Sequence, residues 1–180
     1  PFGDGPRMAL ETALTIAAEQ GFRTVNLDNF AGYAECGEGE GYIAILGHLD
    51  TVPEGDHWTH PPFAGEIHGG RIYGRGSLDD KGPILAALFA ASAVCRSNAV
   101  FHHRVRVIFG ADEETGDKDM RHYLECEPPP ACGFTPDAEF PVVYAEMGIL
   151  WINLVADLAG PVDTSGVSVT SLHGGDSVNM

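Results

Sequence analysis

Apolar and polar residues alternate along the chain with two periods, and each period predicts its own kind of element. Apolar residues at helical spacing predict three helices, over residues 6–20, 81–97 and 118–125. Short apolar or alternating runs bounded by Gly, Asn and Asp predict strands at residues 24–27, 32–36, 42–46, 104–110, 141–145 and 148–157, and a small hairpin at 67–73. This order of elements predicts an α/β fold with a mixed central sheet flanked by helices.

Two of the predicted strands are followed directly by polar residues. The run YIAIL at residues 42–46 is apolar on both faces, which is typical of a central strand covered on both sides, and it is followed by His48 and Asp50. The run RVRVIFG at residues 104–110 is followed by Glu113 and Glu114. Because open α/β sheets place their sites beyond the carboxyl ends of strands, the sequence predicts a functional site at this edge.

Potential metal ligands fall at the ends of predicted elements in four short segments: His48-x-Asp50, Asp79-Asp80, Glu113-Glu114 and Asp137. Taken singly, each has an ordinary explanation as a structural histidine, a helix cap, a solvated turn or a loop acid. Carboxylates gathered at one edge, however, must take up protons or bind cations, and a nearby imidazole adds a nitrogen ligand. Mixed ligation of this kind suits zinc, cobalt or manganese better than calcium or magnesium. The combination predicts metal-assisted hydrolysis, with one of two adjacent glutamates left to move a proton.

Composition narrows the class of partner. The formal net charge of -16 argues against nucleic acid and anionic membranes as partners, because both would repel the chain. No stretch approaches the length of a membrane span, and no signal segment opens the chain. The spacing of the cysteines suggests neither a thiolate zinc site nor a disulfide scaffold, and a reducing cytoplasm fits it best. The four cysteines are Cys36, Cys95, Cys126 and Cys132.

Four ordered motifs give the chain a family resemblance. They are GHLDTVPEGDHW, RIYGRGSLDDKGP, ADEETG, and GFTPDAEFP with YAEMG. Together they resemble the dinuclear zinc metallopeptidase family that contains carnosinase, aminoacylase and succinyl-diaminopimelate desuccinylase. Within that family the chain is similar to the bacterial dipeptidase V branch, down to the opening PFGDGP and the closing GGDSVNM.

The resemblance implies a metal centre with two zinc ions per complete chain, cobalt or manganese being alternatives. His48 and Asp137 would bind one zinc, Glu114 would bind the other, and Asp79 would bridge both. The family's second zinc takes a further histidine from far downstream, and nothing in this chain matches that motif. His173 is not an adequate substitute.

The resemblance also implies how the centre would work. Glu113 would be the general base that deprotonates a water held between the zincs and passes the proton to the leaving nitrogen. Asp50 would orient His48 through a hydrogen bond. The peptide bond between Asp79 and Asp80 is expected to be cis. The histidines to which the resemblance assigns no role are interpreted as ordinary polar residues; these are His57, His60, His68, His102, His103 and His122.

The domain organisation follows from the same resemblance. Residues 1–158 would be the N-terminal part of the zinc-peptidase catalytic domain, and residues 159–180 the beginning of an inserted α+β lid domain. Asn179 would contact substrate there. Both ends of the chain look cut, so we expect a fragment of a longer protein.

The expected function is metal-dependent hydrolysis of the amide bond of dipeptides, with a small peptide as substrate. Deacylation of N-acyl-amino acids and aminopeptidase activity on the same metal centre are alternatives. Two non-enzyme alternatives are a zinc-binding fragment without activity and an acidic interaction module without metal. The spare Glu113 favours an enzyme, because metal binding alone gives no reason for it. The oligomeric state is left open.

Overall fold

The computed structural model describes residues 1–97, 100–145 and 147–148, and these residues contain both helices and strands. The helices are α1 (Asp4–Glu19), α2 (Lys81–Cys95) and α3 (Lys118–Cys126), with a single 3-10 turn at Glu113–Thr115. The strands are β1 (Arg23–Leu27), β2 (Ala31–Cys36), β3 (Tyr42–His48), β4 (Glu66–His68), β5 (Arg71–Tyr73), β6 (Arg104–Gly110) and β7 (Cys132–Phe134). The three predicted helices are confirmed, as are the strands before residue 111 and the small hairpin.

Five strands form one mixed sheet in the order β1-β2-β6-β3-β7. Strand β3 runs parallel to both of its neighbours, β6 and β7, whereas β2 is antiparallel to β6 and to β1. The predicted central position of β3 and the mixed sheet are therefore confirmed. The carboxyl ends of the three parallel strands meet at one edge, which is where the polar motifs begin.

Helices cover both faces of this sheet. On one face α1 and α2 bury the larger apolar cluster, which includes Leu10, Leu14, Ile84, Leu88 and Phe109. On the other face α3 packs over a smaller cluster, which includes Tyr33, Tyr42, Ile108 and Tyr123. Such burial on two faces makes β3 and β6 a rigid platform for the residues that follow them.

A buried arginine lies under α3 in the second cluster. Arg106 on β6 is 2% exposed and donates hydrogen bonds to Glu35 (2.7 Å), Tyr123 (2.7 Å) and Glu127 (2.9 Å). Burial alone raises the pKa of Glu35, but hydrogen bonds from Arg23 and Arg106 outweigh it and hold that pKa below its ordinary value. The charge of Arg106 is thus compensated inside the fold. Its guanidinium also lies over two aromatic rings, those of Tyr33 and Tyr42.

Two features after residue 130 differ from the sequence prediction. Residues 132–134 form β7, which the sequence analysis missed because three residues carry too little periodicity. The strand predicted at residues 141–145 is wrong: this segment has no strand, and the side chains of Val142, Val143 and Tyr144 are exposed. Apolar alternation makes a strand only where another strand completes the ladder. The strand predicted at 148–157 lies outside the described residues from 149 onward.

The cysteine pairing also departs from the sequence analysis. Cys36 at the end of β2 and Cys95 at the end of α2 form a disulfide, with their Cα atoms 6.3 Å apart. The pair is separated by 59 residues, so the spacing of cysteines along the chain could not suggest it. Cys126 and Cys132 are free and exposed. A disulfide is unusual in a reducing cytoplasm, and the cytoplasmic location stays a prediction.

The described residues contain one substantial compact unit, Pro1–Glu139. The boundary predicted between residues 158 and 159, and with it the beginning of the lid domain, lies outside the described residues. Among the helices of the described part, none combines the length and the apolar character that crossing a membrane requires.

Candidate metal centre

The sheet edge at the carboxyl ends of β3, β6 and β7 gathers the residues singled out from the sequence. His48 is the last residue of β3, and it is 2% exposed. Glu113 begins the 3-10 turn after β6, and Asp137 follows β7. Asp79 and Asp80 directly precede α2, and the peptide bond between them is cis, as the resemblance implies. The topology thus brings four sequence-distant segments to one place.

Carboxylates surround one nitrogen of His48. Oδ1 of Asp79 lies 2.9 Å from Nε2 of this ring, Oδ2 of Asp137 lies 3.4 Å away and Oε2 of Glu113 lies 3.9 Å away. Burial lowers the pKa of His48, but Asp50, Asp137 and Glu113 together raise it to about 10. The site therefore favours a positive charge at this position strongly enough to overcome burial.

Asp50 connects the imidazole of His48 to the 3-10 turn at Glu113–Thr115, called here the glutamate turn. Its Oδ1 lies 3.3 Å from Nδ1 of His48, and its two oxygens accept hydrogen bonds from the backbone N–H groups of Glu113 (3.2 Å) and Glu114 (3.1 Å). Burial raises the pKa of Asp50, whereas His48 and the two backbone groups lower it further, so the carboxylate is ionised. An Nδ1–H that donates to this carboxylate leaves Nε2 free to bind a cation.

Asp80, to which the sequence analysis gave no role beyond membership of the Asp79-Asp80 segment, is a buried carboxylate. Its side chain is fully buried, and Oδ2 accepts a hydrogen bond from the backbone N–H of His48 at 3.1 Å. The other oxygen, Oδ1, has no hydrogen-bond partner among the described residues. Burial, with a smaller contribution from Asp137, raises the pKa of Asp80 to about 6. The ordinary explanation as a helix cap does not hold, because α2 has no side-chain cap hydrogen bond at Asp80.

Glu113, like Asp80, has a raised pKa, but its side chain is half exposed. Burial raises its pKa to about 7, with further contributions from Glu114 and Asp137, and His48 opposes this rise. A carboxylate with a pKa near neutrality can both accept and release a proton at physiological pH. Glu113 is therefore suited to proton transfer.

Two overlapping groups of side chains have ligand atoms close enough to share a cation. His48, Asp80 and Asp137 form one group, and His48, Glu113 and Glu114 form the other, with the ligand atoms of each within 4.8 Å of one another. Oδ1 of Asp80 is buried without a hydrogen-bond partner, and the site holds more carboxylates than cationic side chains. A bound dication would compensate the desolvation of this oxygen and the repulsion among the carboxylates. The chain thus holds candidate metal-binding groups. Asp79 lies outside both groups, although its carboxylate contacts His48.

Asp119 holds the backbone directly before the glutamate turn, and the sequence analysis did not identify it. It is 1% exposed, and its Oδ2 accepts hydrogen bonds from the backbone N–H groups of Ala111 (2.6 Å) and Asp112 (2.9 Å). Asp112 in turn accepts a hydrogen bond from the backbone N–H of Lys118 at 3.2 Å. The only sequence signal is an acid in the first turn of α3, which ordinarily indicates a helix-dipole interaction.

Gly47 provides a test of how tightly the centre is packed. A Cβ at this position would overlap Oδ2 of Asp80 and lie 2.8 Å from Cβ of Ile84, which is fully buried. We expect Gly47→Ala to displace the Asp80 carboxylate and to destabilise the fold by about 1–3 kcal/mol through overpacking. Equilibrium unfolding and metal content measure the two effects. Gly5→Ala is the matched control, because its Cβ meets nothing within 4 Å in α1 and alanine favours helix. Wild-type stability in the Gly47 variant would contradict the packing.

The fold and the site together define an α/β domain with a candidate metal centre at the carboxyl edge of its mixed sheet. Residues 44–179 match Peptidase family M20/M25/M40. The chain is 47% identical over 155 residues to the "Putative dipeptidase YtjP" of Bacillus subtilis, covering 86% of this chain and 34% of that protein. It is 38% identical over 181 residues to the "Putative dipeptidase" of Staphylococcus epidermidis, covering 100% of this chain and 39% of that protein. The chain belongs to this peptidase family.

Solved structures agree with the fold. Human carnosine dipeptidase 1 superimposes with a TM-score of 0.64 at 24% identity, over 75% of this chain and 33% of that one. The M20 family metallo-carboxypeptidase Sso-CP2 from Sulfolobus solfataricus superimposes with a TM-score of 0.65 at 23% identity, over 76% and 33%. The predicted α/β fold and the resemblance are therefore confirmed. The chain spans 34% to 39% of the length of the curated relatives compared above.

Proposed function

We propose that the complete protein to which this chain belongs is a metal-dependent dipeptidase with two zinc ions, acting on small peptides in the cytoplasm. The names of the relatives from Bacillus subtilis and Staphylococcus epidermidis support peptide substrates. The observation that carries the proposal is the link through Asp50, which holds His48 and the Glu113-Glu114 turn in one hydrogen-bonded unit. A candidate ligand and a proton acceptor are fixed together by that link, as hydrolysis of an unreactive amide requires.

The proposed ligands are the residues named from the sequence. His48 and Asp137 would hold one zinc, Glu114 the other, and Asp79 would bridge the two. A bound zinc pair would supply Lewis-acid chemistry, polarising the amide carbonyl and making the attacking water more acidic. The distances of Asp79 and Asp137 from Nε2 of His48, 2.9 and 3.4 Å, support a shared cation at this nitrogen. The buried Asp80 would add negative charge behind it.

Glu113 would act as the general base and then as the general acid. It would take a proton from the attacking water as the new C–O bond forms, and would then return that proton to the amide nitrogen, so that the C–N bond breaks and the amine leaves. Its pKa of about 7 supports both steps, since neither protonation state is strongly disfavoured. Asp50 keeps His48 in the tautomer that leaves Nε2 available and holds the glutamate turn by its backbone.

Elemental analysis and a substrate panel on the complete protein test this function. We expect about two zinc ions per chain and hydrolysis of dipeptides that is lost on chelation and restored by zinc. The panel includes N-acyl amino acids and longer peptides, because deacylase and aminopeptidase activities would use the same centre. Cleavage of those substrates in preference to dipeptides would assign another activity. Absence of both metal and metal-restored hydrolysis would overturn the proposal.

A further inference from the structure

A second cluster of metal-type ligands lies on the segment between His48 and Asp79, outside every motif of the candidate centre. Glu66 and His68 are the first and last residues of strand β4, so their side chains point to the same face of the hairpin. Tyr73, the register partner of Glu66 on β5, shares that face. His60 reaches the cluster from the preceding loop.

The two imidazoles converge on a single carboxylate oxygen. Nδ1 of His60 and Nε2 of His68 each lie 3.1 Å from Oε2 of Glu66. The rings of His60 and His68 are stacked with centroids 4.8 Å apart, and the ring of Tyr73 lies 4.1 Å from that of His60. Packing of this kind holds the His60 ring in place before any ligand arrives, which reduces the entropy lost on binding.

We propose that His60, Glu66 and His68 form a separate binding site for a divalent first-row transition metal such as zinc or nickel. Two imidazoles and one carboxylate are a donor set that these ions prefer over calcium or magnesium. The site would tie the loop that carries His60 to the hairpin.

The distances between the donor atoms fit such an ion. With metal–ligand bonds of roughly 2.0–2.1 Å, donors at the corners of a tetrahedron lie about 3.3 Å apart. Both nitrogen–oxygen distances, at 3.1 Å, are close to that separation, and the three donor atoms lie within 4.8 Å of one another. The His68 side chain is 57% exposed, so a small rotation of its ring can adjust the separation between the two ring nitrogens at little steric cost. Water would complete the coordination.

The electrostatics of Glu66 support a cation at this position. Hydrogen bonds from His68 and then His60 hold the pKa of Glu66 below its ordinary value. The carboxylate is therefore ionised and needs no deprotonation before it binds a metal. A dication would replace the protons that the two rings direct at Oε2.

Calorimetric titration of the zinc-loaded complete protein with Ni²⁺ tests the site. Zinc is added only to about two ions per chain, the number expected at the candidate centre, which leaves the proposed site open, so that further one-to-one binding of Ni²⁺ reports on another site. We expect wild-type protein to bind one Ni²⁺, and His60→Asn and His68→Asn each to weaken that binding at least about tenfold. His57→Asn is the matched control: His57 lies on the same segment with φ 66°, a conformation that asparagine tolerates, and we expect unchanged Ni²⁺ binding.

Circular dichroism and the Tm without Ni²⁺ establish whether the variants fold. Glu66→Gln provides a further variant that keeps the shape of the side chain but lowers its affinity for a dication, and we expect it to weaken binding as well. The proposal is overturned if zinc-loaded wild-type protein binds no Ni²⁺, or if folded His60 and His68 variants bind it as tightly as wild type. Neither outcome depends on dipeptidase activity, so this site and the proposed function are tested independently.

Discussion

Replacing Glu113 with glutamine is expected to lower kcat for dipeptide hydrolysis by roughly 10²–10⁴-fold in the complete protein, because the variant loses its general base. Zinc content should stay near the wild-type value, since Glu113 is not one of the proposed zinc ligands. Initial rates at saturating dipeptide and elemental analysis of the same preparation measure both quantities.

The structure makes this substitution unusually specific. The hydrogen bond to Asp50 comes from the backbone N–H of Glu113, so it survives any change of side chain. Glutamine has nearly the shape of glutamate but cannot accept and return a proton. Loss of turnover would therefore report on proton transfer rather than on collapse of the turn.

Two other glutamates provide the controls. Glu114→Gln is expected to lower both zinc content and kcat, because this residue is a proposed ligand, so the two adjacent variants should differ in metal content. Glu125→Gln changes an exposed residue of α3 and should leave both quantities as in wild type. If Glu113→Gln retained full activity with zinc bound, the assignment of the base would be wrong.

The sequence was sufficient for the elements that position the site. Residues 42–46 and 104–110 carry apolar runs long enough to define strands, and a polar motif follows each directly. In a sheet with parallel neighbours these motifs must meet at one edge, which explains why the amino-acid pattern alone could place His48 and Glu113 together.

The residues that support the site could not be predicted in the same way. Asp80 and Asp119 are defined by what they contact, namely the backbone of His48 and the backbone of Ala111 and Asp112. Along the chain Asp119 is only an acid near a helix start, and Asp80 is the neighbour of Asp79, the residue that the resemblance names as a ligand, so each position has a commoner explanation. Periodicity indicates which face of a helix or strand a residue occupies, but it does not indicate which distant residue that side chain contacts. The same reason hid the convergence of His60 and His68 on Glu66.

Loss of the buried Arg106 should destabilise the fold strongly. We expect Arg106→Met to lower the free energy of unfolding by about 3–5 kcal/mol, because methionine replaces the buried stem but leaves carboxylate charge beneath α3 without its main counter-charge. Glu35 is 4% exposed and would keep only Arg23 and the more distant Arg104. Equilibrium denaturation, monitored through the unfolding transition of this domain, measures the change in the free energy of unfolding. Arg121→Met, at an exposed position on α3, should stay within about 0.5 kcal/mol of wild type.

A second substitution separates charge from packing. If the cost of Arg106→Met comes from an uncompensated carboxylate, adding Glu35→Gln should recover part of the lost stability, and the double variant should be more stable than Arg106→Met alone. In the wild-type background Glu35→Gln should instead destabilise the protein, because it weakens the ion pair with Arg106. This opposite sign of one substitution in two backgrounds is a property of a buried ion pair and not of shape. If Glu35→Gln destabilised both backgrounds equally, the network would contribute through packing alone.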